Sequence, residues 1–160
     1  MKRPIGTVLC AFALALAAGA VAAQDKSADA NMQILRDKVN ADKKLVVATN
    51  MQLTDAEAKG FWPMYDAYQK DLQAINERLV KVILAYADGY KNNTLTDEQA
   101  LKLTADVLAI EASETTLRKS YADKLTKVLP GKKVARYLQI EGKIRAIVRY
   151  ELAANIPLVE

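Results

Sequence analysis

Hydrophobic residues recur along most of this chain at steps of three and four, which is the spacing of one face of an α-helix. The longest such stripe predicts one long helix packed nearly parallel or antiparallel to another. Its members are Phe61, Tyr65, Tyr68, Leu72, Ile75, Leu79, Val82 and Tyr86. No segment alternates with period two between turn signals, so no strand is predicted. The pattern therefore predicts an all-α fold.

Shorter stripes predict three further helices, and each is described here by the residues that would face inward. A first helix over residues 31–48 carries Met32, Leu35, Val39 and Val46. The third helix carries Leu103, Val107, Ile110, Leu117, Tyr121 and Val128. The fourth, over residues 132–154, has two adjacent stripes: Val134, Leu138, Val148 and Leu152, and Tyr137, Ile140, Ile144 and Ile147. We expect an elongated helical hairpin or bundle of about four helices, one of them long and kinked.

Several residues interrupt these stripes and predict local departures. Pro63 removes a backbone hydrogen bond inside the long helix, so we expect a kink or a short break between Gly60 and Trp62. Asp88-Gly89, followed by Lys91-Asn92-Asn93, is expected to end that helix and start a loop. Glu114 falls on the apolar stripe of the third helix, and is expected to be exposed at an edge or paired with a basic residue. The apolar tail at 156–159 is expected to dock.

Two segments carry the signature of a helix N-terminus. Leu53-Thr54-Asp55-Ala56-Glu57 and Leu95-Thr96-Asp97-Glu98-Gln99 each place a threonine three residues before a Glu or Gln. In such a capping box the threonine accepts a hydrogen bond from the backbone, and the later side chain reaches back. Both motifs therefore predict where helices begin.

The first 23 residues have the layout of a secretory signal peptide. Lys2 and Arg3 precede an uncharged apolar run, and small residues at 21–23 precede a polar segment. The alternative is an uncleaved membrane anchor, but the apolar run is short and alanine-rich for a membrane-spanning helix. We expect the mature chain to begin within two residues of Gln24, to lack cysteine because Cys10 is removed, and to be periplasmic without stable membrane insertion. Removing 23 of the 160 residues leaves 137, which predicts a single domain over 24–160.

The composition narrows the possible chemistry. The chain has no histidine, and its one cysteine lies in the predicted signal, so Ser-His and Cys-His nucleophilic pairs are absent. A zinc site and the Glu-x-x-His pairs of di-iron bundles are disfavoured for the same reason. No glycine-rich phosphate loop is present. We therefore predict no catalytic residue, no metal site and no cofactor, and a protein that is not an enzyme.

Charge is distributed unevenly along the mature chain. Residues 118–149 hold ten basic and two acidic residues, whereas residues 24–117 hold 11 basic and 15 acidic residues. Export argues against nucleic acid as the partner of such a basic region. Anionic lipid, an acidic partner or unfolded polypeptide are the remaining options. The candidate contact residues are Lys124, Lys127, Lys132, Lys133, Arg136, Arg145 and Arg149, together with Phe61 and Trp62.

The two capping motifs, in a small exported all-helical chain, resemble the LTxxQ motifs of the periplasmic Spy and CpxP family. The resemblance spans about residues 45–150. It implies long bent helices, a cradle-shaped antiparallel homodimer and a concave basic surface that binds unfolded proteins without ATP. The first motif departs from the family by ending in Glu57. The second opens the helix before the last one, where the family places it at the last helix.

Two functions follow as expectations. One is an ATP-independent periplasmic chaperone that binds unfolded or misfolded polypeptide through a basic and apolar surface. The alternative is a regulatory or structural envelope protein that docks one defined partner, such as a stress-sensor kinase domain. A homodimer is expected in either case, because the apolar face of residues 134–152 is wider than one thin hairpin covers.

Overall fold

The computed structural model describes residues 40–159, and within that range it contains four helices and no strand. Helix α1 covers residues 40–51, α2 is Asp55–Lys91, α3 is Asp97–Leu125 and α4 is Gly131–Asn155. The all-α prediction is confirmed. The predicted signal peptide, Gln24, Met32, Leu35 and Val39 lie outside the described residues.

The described residues divide into two compact units. One unit comprises residues 53–135, which hold α2, α3 and the first turn of α4, and the other comprises residues 40–52 and 136–158. The single-domain expectation stays a prediction. No helix in the described range is both long enough and apolar enough to cross a membrane.

In the first unit, α2 and α3 pack against each other as an antiparallel hairpin. Tyr68 meets Tyr121 near one end of the pair, with ring centroids 5.3 Å apart. The side chain of Arg78 donates to Ser113 further along, at 3.2 Å. The predicted long stripe faces this interface, with its first three members buried and the remaining five half-buried. A two-helix layer shields a stripe from one side only, which accounts for the partial exposure.

Helix α2 is continuous through Pro63, so the break that was one of two expectations does not form. Gly60 has a packing role instead. A Cβ placed on Gly60 would lie 3.1 Å from Val128 Cβ, so the backbone of α2 approaches the residues after α3 closely. Glycine at this position permits the contact, because any side chain would fill the space between the two elements.

Helix α2 ends within the segment from Asp88 to Asn93 that the sequence predicts. The helix continues to Lys91, Gly89 is buried within it, and a Cβ on Gly89 would lie 3.2 Å from Leu95 Cδ1. Asn93 takes the left-handed conformation that follows a helix end, with φ of 51°. Gly89 therefore has a packing role, and Asn93 supplies the turn.

Three other expectations need correction, in whole or in part. Helix α1 ends at Met51, and it buries Val47 and Met51 while Val46 is exposed. Glu114 is buried, so the expected exposure at an edge is wrong, and its pairing with a basic residue, the other expectation, stays a prediction. In the tail, Leu158 is 87% exposed and Val159 is 60% exposed, so these two residues do not dock. Of the eight residues predicted to face inward on α4, Val134 and Tyr137 are buried, five are half-buried, and Ile147 is exposed.

Candidate binding surface

Both capping motifs form the boxes that the sequence predicts. The N–H of Thr54 donates to Glu57 Oε2 at 2.8 Å, and the N–H of Glu57 donates to Thr54 Oγ1 at 3.3 Å. The N–H of Thr96 donates to Gln99 Oε1 at 2.9 Å, and the N–H of Gln99 donates to Thr96 Oγ1 at 3.2 Å. Leu53 and Leu95 are half-buried beside these caps. The motif residues therefore have a structural role as helix caps.

Glu57 has a second role that explains why the first motif ends in a carboxylate. Its Oε2 also accepts from Lys133 Nζ, which joins the first turn of α2 to the first turn of α4 within one unit. The hydrogen bonds from Lys133 and from the N–H of Thr54 lower the pKa of Glu57 to about 2. A glutamine would keep the cap but lose the negative charge opposite Lys133.

This ion pair removes Lys133 from the set of free cations. A lysine at a helix start is unfavourable on its own, because the helix dipole is positive there. In this chain the carboxylate of Glu57 compensates for it, and the Lys133 side chain is only 25% exposed. Lys133 was predicted as a contact residue, and the structure instead gives it a structural partner.

The other three lysines predicted as contact residues lie at or beside the turn between α3 and α4. Lys124, Lys127 and Lys132 are all exposed, and we call them the turn lysines. Beneath them Leu125 and Leu129 are 1% and 5% exposed, and the N–H of Leu129 donates to the Leu125 carbonyl at 2.9 Å. The buried leucines thus anchor a turn whose charged side chains point outward.

Tyr121 connects this turn to α2. Its hydroxyl donates to Asp71 Oδ2 at 2.7 Å, and the Nζ of Lys124 lies 4.0 Å from its ring centroid. Burial, followed by the hydrogen bond to Asp71, raises the pKa of Tyr121 to about 12. Tyr121 therefore stays neutral at physiological pH, and it holds the end of α3 against α2 while orienting Lys124.

The aromatic pair predicted for contact divides into a core residue and a surface residue. Phe61 is fully buried, so it is not available for contact, and its ring centroid lies 5.0 Å from that of Trp62. Trp62 is half-buried. It lies two residues after Gly60, which approaches Val128, and therefore at the same end of the hairpin as the turn lysines. Trp62 is the aromatic residue that a ligand of this turn can reach.

The three predicted arginines belong to the other unit. Arg136 donates to the Asn50 carbonyl at 3.5 Å and to Gln52 Oε1 at 3.3 Å, so it caps the end of α1. Gln52 is left-handed there, with φ of 50°. Arg145 is half-buried, Arg149 is exposed, and neither is a free cation. The predicted basic set is thus reduced to the turn lysines, of which Lys124 lies over the ring of Tyr121.

Sequence reasoning missed the large apolar side chains that α2 and α3 expose. Leu84 of α2 is 44% exposed, and Leu101 and Leu108 of α3 are 72% and 60% exposed. The signal that would have found the two α3 leucines is their seven-residue spacing on the face opposite the predicted stripe. An open groove between the helices is lined by Ile75, Ala112, Ser113, Thr116, Leu117 and Ser120.

Within residues 40–159 no cluster of three or more His, Cys, Asp or Glu residues is placed to hold a metal ion. No family model, curated protein or solved structure matches this chain. The resemblance to the Spy and CpxP family therefore stays a prediction.

Proposed function

We propose that this chain is an exported, ATP-independent chaperone-like protein that binds unfolded or misfolded polypeptide. The observation that carries the proposal is the set of three exposed lysines at and beside the turn between α3 and α4, at the hairpin end where Trp62 is half-buried. Long-range charge would attract an acidic or mixed polypeptide, and contact with the aromatic ring and the lysine stems would retain it.

The frame beneath this surface supports the proposal. Two ties within the unit fix the turn, the ion pair of Glu57 with Lys133 and the hydrogen bond of Tyr121 to Asp71. A surface that is rigid in its backbone and flexible in its side chains suits ligands that differ in sequence, because lysine adapts its position without a change of fold. Such binding would be weak and would decrease with added salt, since exposed charges are screened beyond about 8 Å at physiological ionic strength.

The experiment is a client-aggregation assay with the mature chain at low and high salt. Changing Lys124, Lys127 and Lys132 together to glutamate should weaken suppression of aggregation, most strongly at low salt. The matched control changes Lys81, Lys91 and Lys102 to glutamate, which are exposed lysines near the other end of the hairpin. Equal behaviour of the two triple variants at every salt concentration would contradict the role given to the turn lysines.

The choice of client proteins distinguishes the proposed chaperone from the alternative, a protein that docks one defined envelope partner. A chaperone should protect several unrelated denatured proteins at similar molar ratios. A regulator that docks one folded domain should protect none of them. Failure with every client tested would therefore overturn the proposed function.

A further inference from the structure

The exposed side of α4 becomes apolar toward the end of the helix. Five exposed residues follow one another there at helical spacing on one side, and we call them the α4 apolar face: Ala146, Ile147, Tyr150, Ala153 and Ala154. The side chain of Tyr150 is 72% exposed, and Leu158, just after the helix, is 87% exposed. The opposite side of α4 holds the buried Tyr137 and Glu141, so this helix presents one apolar side to its surroundings.

The charges beside this face have one sign. Within residues 136–158, every exposed charged side chain is positive: Arg136, Lys143 and Arg149. The two carboxylates of the same segment are less accessible. Glu141 is 4% exposed and pairs with Lys43 at 2.8 Å, and Glu151 is half-buried. The α4 apolar face is therefore bordered by cations, which favours an anionic partner.

This arrangement is typical of a helix that lies at the interface between lipid and water. Such helices combine an apolar side with lysine and arginine at its border. Lys143 lies one turn before Ile147, and Arg149 lies at the edge of the face beside Tyr150. Long basic side chains can keep their charge among phosphate headgroups while their methylene stems lie along apolar surface.

The composition of the face fits the same partner. Tyrosine places its ring in the apolar region and its hydroxyl in the polar one, and it is enriched at membrane interfaces. The three alanines beside Tyr150 are small, so the helix can approach a flat surface closely along its whole apolar length.

We propose that the α4 apolar face, with Lys143 and Arg149, binds the surface of a bilayer that contains anionic phospholipid. The inference does not depend on the proposed function, because the turn lysines belong to the other unit. The binding should be reversible, since even a single myristoyl chain anchors a protein only marginally.

Vesicle flotation tests the binding directly. The mature chain beginning at Gln24 is used, so that the apolar residues of the predicted signal do not contribute. Vesicles with equal parts of phosphatidylglycerol and phosphatidylcholine are compared with vesicles of phosphatidylcholine alone, up to about 1 mM lipid, ten times the concentration at which a single myristoyl chain half-binds. Binding to the anionic vesicles alone, weakened by added salt, is the expected result.

Two variants with matched controls test the residues. Lys143→Gln combined with Arg149→Gln should weaken binding about 25-fold, because each cation near an anionic surface strengthens it about fivefold. Lys81→Gln combined with Lys91→Gln, at exposed lysines of α2, should leave binding near wild type.

Tyr150→Gln should weaken binding about tenfold through the loss of apolar contact. Leu101→Gln changes a side chain of α3 that is also 72% exposed, and it should have little effect. Circular dichroism should show that all four variants remain helical.

A fluorescent label locates the contact without disrupting it. The mature chain contains no cysteine, so Ala154→Cys can carry the only environment-sensitive dye. Anionic vesicles should shift its emission to the blue, and spin-labelled lipid should quench it. The same dye at Ala105→Cys, an exposed position of α3, should keep the emission it has in water.

Four results would overturn the inference. The first is no binding at about 1 mM lipid, or equal binding to phosphatidylcholine alone. The second is vesicle binding that leaves the Ala154→Cys dye unchanged and is lost when the turn lysines are exchanged for glutamate, which would assign the lipid to the turn.

The third is a dye at Ala154→Cys that is already shielded without vesicles. Shielding that increases with chain concentration would indicate a second copy on this face, and shielding independent of concentration would indicate that the chain itself covers it. The fourth is Tyr150→Gln that weakens suppression of client aggregation but not vesicle binding, which would assign the face to polypeptide. A failure of the turn-lysine experiment, in contrast, would leave the bilayer inference standing.

Discussion

Two glycines inside helices should respond in opposite ways to the same substitution, and the comparison tests how α2 packs on the turn that carries the lysines. A Cβ on Gly60 would lie 3.1 Å from Cβ and 3.2 Å from Cγ1 of Val128. A Cβ on Gly142 of α4 would meet nothing within 4 Å. Alanine is favoured over glycine in a helix interior by about 1 kcal/mol, so Gly142→Ala should stabilise the fold by about that amount.

Gly60→Ala has the same propensity gain but must displace the valine. Contacts of 3.1 and 3.2 Å are closer than ordinary van der Waals separation, and Val128 follows α3 in a turn anchored by buried leucines. Overpacking of this kind costs about 1–3 kcal/mol. With the propensity gain subtracted, Gly60→Ala should destabilise the chain by about 1 kcal/mol, so the two substitutions should differ by about 2 kcal/mol.

Urea unfolding followed by circular dichroism measures both effects. A double-mutant cycle supplies the control, since Val128→Ala removes the Cγ1 contact at 3.2 Å and leaves only the Cβ contact at 3.1 Å. In that background Gly60→Ala should cost less than in the wild-type chain, because one of the two close contacts is gone. If Gly60→Ala stabilises the chain as much as Gly142→Ala does, α2 does not approach the turn in solution, and the rigid frame assigned to the turn lysines is wrong.

Three further predictions concern the polar contacts. Thr54→Ala should destabilise the fold by about 1 kcal/mol in urea, the usual loss of an N-cap, while Thr54→Ser and polypeptide binding should stay near wild type. Lys43→Met should destabilise it by about 3 kcal/mol, because Lys43 pairs at 2.8 Å with Glu141, a carboxylate only 4% exposed; an unchanged midpoint would refute this pairing. The pKa of Glu57 is lowered from 4.5 to about 2 in the folded chain, so its stabilisation is present above pH 4.5 and lost as the pH falls toward 2. Glu57→Gln and Lys133→Met should each weaken the decrease in the free energy of unfolding between pH 4.5 and 2. A decrease as steep as that of the wild type in both variants would refute the ion pair.

The sequence predicted the fold class and the helix starts well, because both depend on local physics. Thr54 and Thr96 form their boxes with residues three positions away, so the motif contains both partners of each contact. The apolar stripes of α2 and α3 likewise define their own inward faces. The end of α2 falls in the predicted segment, but a glycine near a helix end indicates either a terminus or a close contact, and the sequence does not tell which role Gly89 has. Only the position of Leu95 in the folded chain decides between them.

The residues of the candidate binding surface were less predictable, because contacts between residues distant in sequence decide which side chains remain available. The sequence places Lys133 with the turn lysines, because its partner Glu57 is distant in the chain. Only the folded structure brings the two side chains together. Phe61 and Trp62 are neighbours in sequence, yet one is in the core and the other reaches the surface. The seven-residue spacing of Leu101 and Leu108 can be read from the sequence, but only the exposure of these leucines shows that α2 does not cover them.

The most direct test of the central claim compares one labelled model protein in its native and its permanently unfolded form. Fluorescence anisotropy at low salt should show the mature chain binding the unfolded form and ignoring the native one. Added salt should weaken that binding, as should exchange of Lys124, Lys127 and Lys132 for glutamate. Two results would contradict the account. One is binding of equal strength to both forms. The other is no binding to the unfolded form at about 100 µM chain, a concentration at which even a complex with a dissociation constant in that range is half-formed.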